Sequence, residues 1–401
     1  MNIGLPPLFA DAGRDSRTDT PLFGLNDFGP QFGVLPREKI ALMGRRKMIQ
    51  AESKIEDEQL QPASLDLRLG DRAYRVRGSF LPGRHHRVEE RLHALQSDDE
   101  AISLKGNGAV LERNCVYVIP LREYLNLPKE IFGVANPKSS TGRLDIFTRL
   151  TTDYSDVFDS VALGYEGRLY AEVSPRSFSV RVREGSKLNQ LRFRRLNSQH
   201  LDRAESPIAV KDLRERHEKF PLVDGDLELR RGGLVLRVGL ATEPAGGVIG
   251  YKAQKHADIL DVDRGDYNAA DYWVQIRARP DKRLILDPDE FYILASKERL
   301  QIPPDLAAEM VAIDAAMGAF RVHYAGFFDP GFGAGANNRP SARAVLEVRS
   351  YEVPFFLEDD QVIGRLVYEK MAEPPRVLYG AGAASNYQGQ GLKLSKHFRM
   401  E

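Results

Sequence analysis

Two segments of this chain, roughly 180 residues apart, follow one script, and a period that long marks a duplicated domain rather than a solenoid repeat. The first runs LERNCVYVIPLREYLNLPKEIFGVANPKSSTGR and later GYEGRLYAEVSPRSF; the second runs LDPDEFYILASKERLQIPPDLAAEMVAIDAAMG and later FDPGFGAGANNRPSARAVLEVRSYEVPF. Each pairs an extended entry (Val116 to Ile119; Phe291 to Leu294) with a Leu/Ile-Pro turn, at Leu127-Pro128 and Ile302-Pro303. Each then reaches a strand carrying one glutamate, Glu172 or Glu347. The copies have diverged in opposite ways. Copy one keeps the polar Lys138-Ser139-Ser140 and Arg143, where copy two has Asp314 to Met317; copy two has an Asp-Pro-Gly-Phe turn that copy one lacks. One site shared by the two halves is the expectation.

A chain of 401 residues exceeds one comfortable core and predicts about two domains. Formal charge is zero, so no global field draws it to nucleic acid or to a membrane surface, and any anion site must be local. No stretch approaches the ~20 apolar residues of a membrane span. The N-terminal text lacks the basic start and apolar centre of a secretory signal. Cys115 is the single cysteine, which excludes an internal disulfide and points to a cytoplasmic protein.

Residues 1–34, rich in Gly, Pro and Asp, read as a loose arm. Pro36 opens a short helix, REKIALMGRR. From Ser64 to Val76 apolar and polar residues alternate as in a half-buried strand, and similar short strands broken by Gly, Pro and Asn recur. That spacing predicts a mainly β fold of barrels or sandwiches. The first domain is placed at 35–196, a charged linker with some helix at 197–220, the second domain at 221–379, and a Gly- and Ser-rich tail at 380–401.

Several reaction classes are excluded by motif. There is no HExxH, no Cys pair for a zinc deaminase site, no Walker loop and no Gly-x-Ser-x-Gly. Four polar clusters remain. Pro137 to Arg143 offers hydroxyls, a glycine and cations suited to a phosphate chain, or is a solvated Ser/Gly turn. The stretch from His323 to Phe332 places Asp329 on a turn among aromatics, as a sugar site or an ordinary turn, with His323 suited to packing. Glu347 sits between Leu346 and Val348, so it faces away from both, as a general base or a solvent-facing strand carboxylate. The tail, from Ser385 through Tyr387 and Gln390 to Lys393 and Lys396, suits a lid over phosphates or a disordered end.

Taken together, QPASLDLRLG, PKSSTGR, HYAGFFDPGF, AVLEV and NYQGQG resemble, in order, the motifs of dCTP deaminases in the trimeric dUTPase superfamily, over about residues 35–400. The resemblance implies two tandem distorted β-barrels of jelly-roll type. It implies zinc-free deamination of dCTP to dUTP with Mg²⁺ on the triphosphate. Glu347 stands at the family's general base, and Ser139 and Arg143 at the groups beside the reacting water. Lys138 and Ser140 join the phosphate cradle, Lys138 replacing the usual arginine. Asp329 would hold the deoxyribose 3′-hydroxyl with Phe332 against the sugar. The backbone of Tyr324, Ala325 and Gly326 would read the cytosine edge, and Tyr387, Gln390, Lys393 and Lys396 would belong to the closing tail. Implied partners are dCTP, with dTTP or dUTP as candidate inhibitor or product and a homo-oligomer as candidate assembly.

Two departures accompany the shared-site expectation. Phe327 replaces a residue that is often polar in the family. Ala162 stands where copy one should carry the turn aspartate, although Glu172 aligns with Glu347. Copy one is therefore expected to supply the phosphate cradle and copy two the nucleoside pocket, in a site within one chain or between two. A dUTP diphosphatase, a bifunctional enzyme and a catalytically dead nucleotide-binding regulator share most of these motifs.

Overall fold

The computed structural model describes residues 28, 31–97, 101–196, 208–242, 246–312, 320–322, 326–350, 352–381 and 385–399. Most of the expected arm, part of the linker, and Asp314 to Met317 lie outside them. The fold is mainly β. In the first half, Val116–Asn126 and Glu166–Pro175 lie at the centre of a six-stranded sheet, and Ile131–Pro137 with Lys187–Arg195 at the centre of a five-stranded one. The second half repeats the plan. Phe291–Leu300 pairs with Ala342–Ser350, and Leu306–Ala312 with Val362–Lys370.

The repeat extends to register. Glu172 lies opposite Val118, and Glu347 opposite Ile293. Ala135 lies opposite Leu191, and Met310 opposite Leu366. All four correspondences keep the same sequence interval. A slip of one residue would turn every side chain of a strand to its other face, so the buried face of each glutamate strand is preserved along with its register.

The halves are not separate bodies. Val180–Val182 of the first half adds a parallel partner, Leu260–Asp261, from the second. Phe178 packs edge-on against Tyr272 and Trp273, each with ring centroids 5.5 Å away, and one apolar core runs through both halves. The stretch expected as a linker holds the helix Val210–Lys219, whose Leu213 is buried in the second core. Among the described residues no helix is long and apolar enough to cross a membrane.

A buried ion pair also joins the halves. Arg349 meets Asp145, whose Oδ2 accepts from Ser177 Oγ at 2.7 Å. Asp145 has a left-handed backbone, φ 55°, which asparagine also tolerates. Asp145→Asn therefore removes charge without straining the turn. It should destabilise the chain by about 3 kcal/mol, since breaking a buried pair leaves an uncompensated ion. Denaturant unfolding reads this directly, and a change below about 1 kcal/mol would mean the pair contributes little.

Candidate active site

The seam between the halves opens into a cavity of about 500 Å³. Ser139 begins a single helical turn, Ser139–Gly142, at the end of strand Ile131–Pro137. That turn presents Lys138, Ser139, Ser140 and Arg143 to the cavity. From the second half come Gly326, Asp329, Phe332 and Glu347. The tail supplies Tyr387, Gln390 and Lys396. The two incomplete sets thus meet inside one chain. A Cβ placed on Gly326 would stand 3.8 Å from Ser139 Oγ, so these groups from opposite halves are near neighbours. Tyr324, Ala325 and His323 lie outside the described residues.

Glu347 is 5% exposed and lines the cavity, while Leu346 and Val348 on the same strand are buried in the second core. Among the described residues no hydrogen bond meets its carboxylate. Burial pushes its carboxyl up to about 8, against the pull of Arg143 and with a further push from Asp145. Its counterpart Glu172 is also buried, but its Oε1 accepts from Ser79 Oγ at 2.9 Å. Burial raises Glu172 too, with Ser79 opposing. One glutamate faces the cavity; the other is tied down by its own half.

Asp329 lines the cavity and is buried, its carboxyl pushed up to about 6 by burial while Arg192 pulls it down and Asp66 adds to the rise. Phe332 meets Phe328 edge-on at 5.1 Å and Tyr379 at 5.6 Å, which fixes an aromatic wall beside Asp329. Lys138 forms an ion pair with Asp66. Lys396 is lowered by burial and by the nearby charges of Lys138 and Lys187, while Asp66 opposes. Crowded ammonium groups are individually disfavoured and jointly suited to a polyanion.

The tail is docked rather than open. Arg143 donates to Gln390 Oε1 at 3.0 Å and to the Lys393 carbonyl at 2.9 Å, and its guanidinium carbon lies 3.8 Å from the Tyr387 ring centroid. Gln390 Nε2 donates to the Arg343 carbonyl at 3.0 Å, so its amide holds both halves. Ser395 Oγ donates to the Ser140 carbonyl at 2.9 Å, and Phe398–Arg399 pairs with Tyr267–Asn268. Lys393 is a departure from expectation: its ammonium donates to the Asn386 carbonyl at 2.8 Å rather than lining the cavity.

Sequence reasoning passed over Arg37, Asp66, Lys187 and Gln190, all of which line the cavity. Asp66 lies inside the motif QPASLDLRLG, but no local pattern in the sequence brings it to Lys138, 72 residues away.

Comparison with known proteins gives the family. Residues 31–197 match the family profile described as the 2′-deoxycytidine 5′-triphosphate deaminase N-terminal domain, and residues 209–398 match the corresponding C-terminal domain. The crystal structure of a 2′-deoxycytidine 5′-triphosphate deaminase from Agrobacterium tumefaciens superposes with a TM-score of 0.79 at 46% identity, covering 85% of this chain and 99% of that one. A "dCTP deaminase, dUMP-forming" from Kocuria rhizophila is 31% identical over 29% of this chain, which spans 58% of that relative's length. A "dCTP deaminase" from Metallosphaera sedula is 28% identical over 44% of this chain and 90% of its own.

Proposed function

Because this chain belongs to the 2′-deoxycytidine 5′-triphosphate deaminase family, we propose that it hydrolyses dCTP to dUTP and ammonia, without zinc, in a cytoplasmic deoxynucleotide pathway. We read its halves as the family's distorted barrels, fused so that one complete site forms per chain. The observation that carries the reading is the meeting of Ser139 and Arg143 with Asp329 and Glu347 around one cavity.

In this mechanism Glu347 takes a proton from a water held near Ser139. The water oxygen bonds to C4 of cytosine, and Glu347 returns the proton to N3. It then moves the remaining hydroxyl proton to the amino group as the C4–N bond breaks and ammonia leaves. The atoms balance, and Glu347 ends as it began. A base raised by burial is a stronger proton acceptor once ionised, and positioned transfer of this kind is worth ~10²–10⁴-fold. Arg143 favours the ionised form, while Lys138, Ser140 and Lys396 receive the phosphates. Mg²⁺ would come with the triphosphate and neutralise its charge. The cationic cluster fits a polyanion, and Asp57 and Glu58 on the cavity wall could accept hydrogen bonds from the ion's waters.

Ionisation of Glu347 sets the pH dependence. Only the carboxylate can accept the proton, so kcat/KM should rise with pH and level off above about 8. The rising limb should vanish from the residual rate of Glu347→Gln. A flat profile across that range would remove Glu347 as the base.

The assay is incubation with dCTP, CTP and dUTP plus Mg²⁺, with products identified. dUTP and ammonia from dCTP support the reading; no turnover despite binding would point to a regulator. A second reading, release of dUMP and pyrophosphate, is favoured by the dUMP-forming names among the relatives, and the same product analysis separates them. Titration should give one dCTP site per chain. Mixing inactive Ser139→Ala and Glu347→Gln chains should restore nothing, because the cavity is built from one chain; recovered activity would place the site between chains.

A further inference from the structure

Behind the cavity wall, a cation from the first half is buried inside the second. Arg192 lies on strand Lys187–Arg195 and is fully buried. Its Nη1 donates to Glu369 at 2.9 Å and to the Ala308 carbonyl at 3.2 Å. Its Nη2 reaches the Phe328 carbonyl and Asp329 Oδ1, each at 3.4 Å. The guanidinium carbon stands 3.9 Å from the centroid of the Phe327 ring. The charged group beside the Asp-Pro-Gly turn is thus delivered from the other half of the chain.

A buried arginine is weak evidence for stability, because its desolvation offsets much of what its ion pairs return. Its placement here has a more specific consequence. Arg192 does not line the cavity, but Asp329 does. We infer that Arg192 is a positioning residue for sugar recognition, orienting Asp329 and keeping it a carboxylate that accepts a hydrogen bond from the nucleotide's 3′-hydroxyl. The inference rests on the reading of the cavity as a dCTP site.

The charges around Asp329 set the sign. Arg192 is the cation in contact with it; Asp66 faces it from strand Leu65–Arg68, itself paired with Lys138, and Glu369 lies beyond Arg192. The Tyr379 phenol is close enough to feel the Asp329 charge. Without Arg192, burial and Asp66 act unopposed, and Asp329 titrates at higher pH. A protonated Asp329 is a poorer acceptor, so recognition of the 3′-hydroxyl should fail first at low pH.

The test compares kcat/KM for dCTP and its 3′-deoxy analogue, at about pH 6.5 and about pH 8.5. The full-length chain should prefer dCTP by ~10- to 100-fold, the range for a hydrogen bond to a charged group. Arg192→Met should lose that preference at the lower pH and regain part of it at the higher. Asp329→Asn should lose it at both, and Glu369→Gln should keep it. Should Arg192→Met fail to fold, Arg192→Lys decides, since lysine keeps charge but not the planar fork: reduced preference at both pH values is expected. Equal losses on both nucleotides with preference intact, a fully preserved preference in Arg192→Lys, or no preference in the unaltered chain would each overturn the inference. If the unaltered chain turns over neither nucleotide, the proposed function fails. Calorimetric titration of the same two ligands then reads Arg192, the same ratios deciding.

Discussion

Glu347→Gln should abolish deamination, with kcat reduced by ~10²–10⁴-fold or more, while dCTP still binds. The amide keeps the shape of the side chain but cannot carry a proton between water, N3 and the leaving amine. The corresponding change at Glu172 should be far milder, because Glu172 does not line the cavity and its Oε1 accepts from Ser79 within its own half. Steady-state rates together with nucleotide titration measure both, and a deadlier Glu172→Gln would mean the roles of the halves are reversed. Stability should move in the opposite sense to activity. The folded carboxyl titrates at about 8, above its ordinary 4.5. Its ionisation therefore opposes folding: the associated stability is intact below about 4.5 and is lost as pH rises through about 8. Glu347→Gln should be the more resistant protein to denaturant in alkaline buffer, with a shallower decline across that interval.

Arg143→Met is expected to be nearly as damaging, lowering kcat by ~10²–10³-fold, the order of the cost of losing one preorganised hydrogen-bond donor. One guanidinium does two things here. It holds the tail through Gln390, the Lys393 carbonyl and the Tyr387 ring, and it favours ionisation of Glu347. Removing it should shift the rising limb of the pH profile to higher pH and expose the tail near Lys393 to proteases. Both readouts are needed. An unchanged pH profile with a loosened tail would leave Arg143 as a clasp only, and unchanged proteolysis with lost activity would leave it as an electrostatic partner only.

The duplication was legible because it is written locally: the Leu/Ile-Pro turns, the entry strands and the two glutamates keep one interval, and register follows from burying one face. Ser139, Asp329 and Glu347 were legible for the same reason, each lying inside a short motif. Arg192 and Lys187 were not, because their neighbours come from distant parts of the fold. LRFRR is only a basic strand until the second half is laid against it, when Arg192 meets Asp329 and Arg194 lies 3.5 Å from Glu309. The amides, glycines and lysines of the tail suit a lid, but the burial of Leu394, Ser395 and Phe398 is decided by the groove they enter rather than by their own composition. Lys393 misled for the opposite reason: a cation beside phosphate-binding residues turned to a backbone carbonyl of its own segment.

The parallel ladder between Val180–Val182 and Leu260–Asp261, with Phe178 set among Tyr272 and Trp273, has a kinetic consequence. A site completed between separate subunits obeys mass action, and dilution empties it of one wall. Here the two walls are tethered by the polypeptide and held by a common core, so their effective concentration does not depend on how much protein is present. Specific activity should therefore stay constant as the enzyme is diluted far below the levels at which subunit assemblies fall apart, whatever larger assembly the chain enters.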